Sequence, residues 1–276
     1  MIIKLIAVDM DGTALKSDGT VSKRTMMAMQ KAVERGIFLI PATGRVAKML
    51  PQEPISIPGV RYAITSNGAS LIDLRDHSTL YTDWMTMEES NRILRFFADY
   101  GLFTEAYRDG KSFSDRAALQ RLEKTGVPPR VHDYIMRSQE FVDNLPGFIA
   151  SGNIPLEKVN VPYVPDEFRT EIQERLRSMK EYSVSASGTE NIEVNAASCS
   201  KGTALKYLCT NLCISPSQVM AVGDSGNDVR MLLYAGWSVA MGNSAGWVRS
   251  AADFITGTND EDGLAYAIEK FALSGE

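Results

Sequence analysis

Residues 3–8 form a run of largely branched apolar side chains, broken only by Lys4, that stops at Asp9-Met10-Asp11-Gly12-Thr13. A strand without polar alternation has no solvated face, which is the habit of a parallel sheet covered by helices on both sides. Such a strand delivers whatever follows it to one edge of the sheet. Here it delivers two carboxylates two residues apart, and a glycine that permits a tight turn.

The pattern recurs along the chain. Ser22 can cap a helix through Met26, Met29 and Val33 that Gly36 closes. Residues 37–40 are a second buried strand, ending in Pro41-Ala42-Thr43-Gly44-Arg45, so strand, helix and strand make a right-handed βαβ unit. Residues 62–65 predict a third strand, ending at Ser66-Asn67-Gly68. Toward the other end, a helix over 202–212 follows Lys201-Gly202, and a strand over 219–222 ends at Gly223-Asp224. A helix through 229–233 stops near Gly236, and a strand over 237–241 ends at Gly242-Asn243. Phe254-Ile255 is a short edge strand, and Asp262-Gly263 opens the last helix. Residues 84–190 have another character: amphipathic helices over 86–100 and 166–180, and alternating stretches such as 158–161 and 182–186 that predict antiparallel strands with one solvated face. The expected fold is α/β, a Rossmann-like parallel-sheet core built from 1–83 and 191–276, with an inserted α+β cap over 84–190.

Composition narrows the chemistry. The chain of 276 residues has only two histidines, His77 and His132, and three cysteines, Cys199, Cys209 and Cys213, none at metal-ligand spacing with a histidine. Zinc catalysis and histidine-dependent triads are thereby disfavoured, and carboxylates must carry any catalysis. Cys209 and Cys213 stand four apart and are expected to pack in the core. A net charge of −5 argues against binding nucleic-acid phosphates without regard to sequence. No apolar run approaches the roughly 20 residues of a membrane helix. With no secretory leader at the N-terminus and free thiols, the expected location is the cytoplasm.

Four signals fall at the carboxyl end of a predicted strand or the start of a helix, where open α/β sheets bind ligands. In Asp9-x-Asp11-Gly-Thr, one carboxylate can attack while the other moves a proton, the blander alternative being a turn with two solvated aspartates. Thr43-Gly44 offers a hydroxyl and backbone N–H groups to a phosphate oxygen, although alone it is an ordinary turn. Lys201 opens a helix, where the dipole disfavours a cation and calls for an anion nearby. Gly223-Asp224-Ser225-Gly226-Asn227-Asp228 supplies two more carboxylates, of which a capping turn would explain one. At 4 Å and an effective dielectric of about 20, each like-charge pair costs roughly 4 kcal/mol. Lys201 alone does not offset several such pairs, whereas a divalent cation does. All-oxygen ligation fits Mg²⁺, and the cation with Lys201 would form a site for a phosphoryl dianion.

These residues resemble the motifs of the haloacid dehalogenase superfamily, in particular its Cof-type phosphatases with a large cap. Further matches are Ser66-Asn67-Gly68-Ala69, Ala240-Met241-Gly242-Asn243 and Asn259-Asp260-Glu261-Asp262-Gly263. The resemblance covers essentially the whole chain. It implies that Asp9 is a nucleophile forming an aspartyl-phosphate. Asp11 would be the acid/base, with its carbonyl on Mg²⁺. Thr43, Gly44, Lys201 and Asn227 would bind phosphate, and Asp9, Asp11, Asp224 and Asp228 would form the metal site. The implied activity is Mg²⁺-dependent hydrolysis of small phosphorylated metabolites, sugar phosphates or similar compounds. The same intermediate would serve a phosphotransferase or phosphosugar mutase. A non-catalytic phosphometabolite-binding module would be expected to lack Asp9 or Asp11, and both are intact. The expected partner is a small phosphorylated metabolite rather than nucleic acid or a membrane, with monomer and homodimer equally open. Arg45, beside Thr43, can face the pocket or the surface, the two being equally open, whereas the cap residues Arg108, Lys111 and Lys158 are candidate substrate contacts for which a solvated surface role is the simplest expectation.

Overall fold

The computed structural model describes residues 2–125, 127–153, 155–186 and 190–274. In chain order the first elements are β1 (Leu5–Asp9), α1 (Lys23–Glu34), β2 (Phe38–Ala42), α2 (Gln52–Ile55), β3 (Tyr62–Thr65), β4 (Ser70–Asp73) and β5 (Thr79–Thr82). There follow α3 (Met87–Asp99), β6 (Glu105–Arg108), β7 (Lys111–Asp115), α4 (Arg116–Leu122), α5 (Pro129–Ser138), β8 (Glu140–Val142) and α6 (Leu145–Gly152). The rest of this stretch is β9 (Lys158–Val161), α7 (Asp166–Ser178), β10 (Tyr182–Ser185) and β11 (Ile192–Ala196). The chain closes with α8 (Lys201–Asn211), β12 (Val219–Gly223), α9 (Val229–Tyr234), β13 (Trp237–Ala240), α10 (Gly246–Arg249), β14 (Phe254–Ile255) and α11 (Gly263–Ile268).

Two compact units emerge: Met1–Arg45, Leu50–Thr82 and Ser200–Glu276 form one, and Val46–Met49 with Asp83–Cys199 form the other. The first is an eight-stranded sheet in the order β14-β13-β12-β1-β2-β3-β4-β5. The six strands from β14 to β3 are parallel, and β4 and β5 extend the sheet antiparallel, an addition that the sequence did not announce. Alternate residues of the central strands feed two cores. Ile6, Val8, Leu39, Met220 and Val222 pack with Ala28, Met29 and Ala32 of α1 and with Leu264 and Ile268 of α11. Leu5, Ala7, Ile40, Val219 and Ala221 pack with Leu205, Leu208 and Cys209 of α8 and with Met231 and Leu232 of α9. Every residue of β1 is buried, which is why its sequence shows no polar alternation. Ser22 caps α1 by accepting the Thr25 N–H, as expected. Cys209 lies in the core, but Cys213, beyond the end of α8 at φ 54°, is exposed, because the helix ends before it can share the buried face.

The second unit is a six-stranded sheet in the order β10-β11-β9-β6-β7-β8 with helices. Residues 191–199 belong here rather than with the core, because β11 pairs antiparallel with both β9 and β10. At β9 the expected solvated strand face is instead buried, whereas β10 keeps only Tyr182 buried and exposes Val184. Glu105 lies opposite Ser114 and Asn160, Tyr107 opposite Ser112 and Lys158, and Asn160 opposite Glu193. All of these are buried, and the Ser112 and Ser114 hydroxyls donate to Gln139 Oε1 at 2.6 and 3.0 Å. The Glu105 carboxylate accepts from the Tyr107 hydroxyl at 2.8 Å, from Asn160 at 2.7 Å and from Gln139 at 2.9 Å. Lys158, expected as a solvated charge, is 2 % exposed, stands 3.3 Å from Glu193 and lies over the Tyr107 ring. No described helix is long and apolar enough to cross a membrane.

Candidate active site

Five neighbouring parallel strands bring their carboxyl ends to one edge of the first unit's sheet. Asp9 is the last residue of β1, Thr43 follows β2, the Ser66–Gly68 turn follows β3, Asp224 follows β12, and Gly242-Asn243 lie just beyond β13. Loops far apart in sequence therefore become neighbours, as the strand order requires.

At the centre is Lys201, the first residue of α8 and fully buried. Its Nζ donates to Asp9 Oδ1 at 2.6 Å and to Asp228 Oδ1 at 2.7 Å. The anion that a lysine at a helix N-terminus calls for is thus supplied twice. Burial alone would push the ammonium down, but Asp228 and Asp9 reverse this and hold Lys201 charged, its pKa above the usual lysine value. Asp228 is also fully buried. Its Oδ2 accepts the backbone N–H groups of Asp224 and Ser225, each at 3.0 Å, so this carboxylate shapes the turn and orients the lysine. The close fit needs Gly223, where a Cβ would fall 2.5 Å from the Asp228 side chain.

Asp9, Asp224 and Asp228 each offer a carboxylate oxygen within 4.8 Å of the others. With Lys201, this group carries two net negative charges when its carboxylates are ionised. Burial raises the Asp9 pKa well above the usual carboxylate range, reinforced by Asp228 and only partly countered by Lys201. Burial, with the charge of Asp228, raises Asp224 to about 6. Asp9 Oδ2 is buried and meets no hydrogen-bond donor among the described residues. Asp224 is half-buried, with Thr13 Oγ1 donating to its Oδ1 at 3.3 Å and Asn243 Nδ2 near its Oδ2 at 3.5 Å.

The Asp11 carboxylate stands apart from this group. It is half-exposed and gripped by Arg45, whose Nε and Nη2 donate to its two oxygens at 2.8 and 2.5 Å. The four-carboxylate cluster expected from the sequence is a three-carboxylate cluster, because a planar guanidinium takes the fourth. Thr43 is buried, its Oγ1 accepting the Arg45 N–H at 3.1 Å, with Gly44 between them. Asn227 donates to Asn67 Oδ1 at 3.0 Å and accepts from Ser225 Oγ at 2.8 Å.

A profile of the haloacid dehalogenase-like hydrolases matches residues 6–268. The chain belongs to that family. A Bacillus subtilis 5-amino-6-(5-phospho-D-ribitylamino)uracil phosphatase is 30 % identical over 98 % of this chain and 96 % of its own. Another Bacillus subtilis phosphatase is 29 % identical over 97 % and 99 % of the two chains. The solved structure of a Bacillus subtilis haloacid dehalogenase-like hydrolase, 25 % identical, superposes with a TM-score of 0.83 over 97 % of this chain and 99 % of its own. This member of the family is a phosphatase.

Several supports of the hydrolase site are residues to which the motifs alone assign no role. Asn243 donates to the Gly12 carbonyl at 2.9 Å and accepts the Asn259 N–H at 3.1 Å, while Asn259 Nδ2 donates to the Leu15 carbonyl at 3.0 Å. The two asparagines pin the loop that follows β1. Both lie in segments that resemble the family's motifs, a signal that marks the residues without their geometry. For Arg45 the sequence leaves pocket and surface equally open, and the structure turns it onto Asp11. Ser66, Asn67 and Gly68 have φ values of 50°, 62° and 100°, a left-handed turn that places Asn67 under Asn227.

Proposed function

We propose that the hydrolase cleaves phosphomonoesters of small metabolites by attack of Asp9 Oδ2 on phosphorus. The supporting observation is the asymmetry of the Asp9 carboxylate: Oδ1 is held by Lys201 at 2.6 Å, while Oδ2 is buried without a donor. A bond forms between Oδ2 and phosphorus as the ester P–O bond breaks, giving an aspartyl-phosphate. Asp11 gives a proton to the leaving alkoxide, then takes one from the water that attacks phosphorus, and phosphate leaves with Asp9 regenerated. Thr43 Oγ1, the backbone at Gly44, Lys201 and Asn227 bind the phosphoryl oxygens.

The oxygen-only donor set and its excess negative charge fit a hard divalent cation. Mg²⁺ would be held by Asp9, Asp224 and the Asp11 carbonyl, with Asp228 supporting them from behind. Bound there, it supplies charge neutralisation that lets an anionic nucleophile approach an anionic ester. Asp228 already spends both oxygens on Lys201 and the backbone, so it serves the ion chiefly by fixing the Asp224 turn.

The relative named for a phosphoribityl compound favours phosphorylated sugars and sugar alcohols as the substrate class. Free thiols, two of them buried, suit the reducing cytoplasm. The test is phosphate release from p-nitrophenyl phosphate. Wild type should be active with Mg²⁺ and inactive in EDTA, and Asp9→Asn inactive in both. Turnover by Asp9→Asn, or undiminished turnover in EDTA, overturns the proposal.

A further inference from the structure

We infer that Arg45 is a positioning residue for Asp11, setting the plane from which that carboxylate exchanges its proton. The inference rests on the acid/base role proposed for Asp11. The backbone around Asp11 is well fixed: Ala14 N–H donates to the Asp9 carbonyl, Leu15 N–H to the Met10 carbonyl, and Asp11 bridges to Leu15. Its side chain is not fixed by packing, since it is 51 % exposed. A half-exposed aspartate samples several rotamers, each displacing its oxygens from the leaving group.

Arg45 removes that freedom. Two donors from one guanidinium meet the two carboxylate oxygens at 2.8 and 2.5 Å, a fork that fixes the carboxylate plane and leaves its outer lone pairs for the reaction. Arg45 is itself anchored at the site. Its N–H donates to Thr43 Oγ1 at 3.1 Å, and its carbonyl accepts the Ser66 N–H at 2.9 Å. One residue therefore links the turn after β2, the turn after β3 and the proposed acid. A lysine could supply the charge but not the planar fork.

The test uses two aryl esters of similar shape, phenyl phosphate and p-nitrophenyl phosphate. Phenol is as basic as tyrosine, with a pKa of about 10, and needs a proton to leave. p-Nitrophenolate is a far weaker base and leaves without one. First-turnover release of each phenol, with enzyme in excess and Mg²⁺ present, isolates ester cleavage from the later hydrolysis. Arg45→Ala and Arg45→Lys should each lose at least roughly tenfold more rate with phenyl phosphate than with p-nitrophenyl phosphate, within the range general acids contribute. The ratio of the two substrates is independent of how much variant is correctly folded. Equal losses on both esters, a raised KM with unchanged kcat, or recovery by Arg45→Lys would each overturn the inference. Asp11→Asn is the control. If it shows the selective loss and Arg45→Ala does not, the inference alone fails. If Asp11→Asn treats both esters alike, the acid role of Asp11 fails with it.

Discussion

Replacing Lys201 by methionine should destabilise the metal-free protein far more than a lysine substitution ordinarily does. The ammonium is fully buried, 2.6 Å from one carboxylate and 2.7 Å from another, both nearly inaccessible. At an effective dielectric of about 20, each contact represents roughly 6 kcal/mol of gross attraction, most of which offsets the cost of burying the ions. Removing only the cation leaves Asp9 and Asp228 facing each other, and breaking a buried pair in this way costs roughly 3–5 kcal/mol. At about 2–4 °C per kcal/mol, the melting temperature in EDTA at neutral pH should fall by roughly 6–20 °C. Adding Asp228→Asn should recover part of that loss. The amide oxygen can still accept the Asp224 and Ser225 N–H groups, and its NH₂ can donate to Asp9. Mg²⁺ should raise the melting temperature of Lys201→Met more than that of wild type, because the ion is then the only cation left for the three carboxylates. Melting of Lys201→Met within about 2 °C of wild type in EDTA, or of the double variant below the single one, would refute the reasoning.

Gly68→Ala places a methyl group 2.1 Å from the Ser200 carbonyl oxygen at φ 100°, so it should cost roughly 2–4 kcal/mol and depress kcat by shifting the start of α8. Gly101→Ala, at φ 66° with open space around it, isolates the backbone strain, and thermal melts should show it losing clearly less. The metal-free protein should lose stability as pH rises from about 4 to about 6. Asp224, raised to about 6, and Asp9, also raised, bind protons in the fold that the unfolded chain has already released, so their contribution is present below about 4 and fades through about 6. Melting against pH in EDTA reads the decline, and Asp224→Asn should flatten it.

The catalytic half of the fold was legible because its information is local. β1, β2 and β12 announce themselves by unbroken apolar runs, and each run ends on the residue that the sheet then presents: Asp9, Thr43 and Asp224. The strand order was not needed to see that these residues share an edge, only the rule that parallel strands point the same way. Lys201 was legible for a different reason, as a charge in a place where the helix dipole opposes it. Arg45 was only half legible, its place beside Thr43 leaving pocket and surface equally open. An arginine in a turn costs nothing in sequence terms, and only the approach of Asp11 from another loop gives it a role.

The second unit marks where this kind of inference stops. Segments β6, β9 and β11 alternate polar and apolar residues, a pattern that stands for one wet face whenever the polar residues meet water. Here they meet each other. Glu105 needs Tyr107, Gln139 and Asn160, and Lys158 needs Glu193 at 3.3 Å, partners up to 55 residues away in the chain. A buried polar residue and a solvated one are identical in a sequence window, since satisfaction of a hydrogen bond is a property of the register and not of the strand. The cost of leaving any of these groups unpaired is about 1–3 kcal/mol or more, so each member constrains the others. A polar face of this kind can be changed only in concert. That makes a single substitution such as Glu193→Gln, which removes the negative charge 3.3 Å from the buried Lys158 ammonium, more damaging than its conservative chemistry suggests.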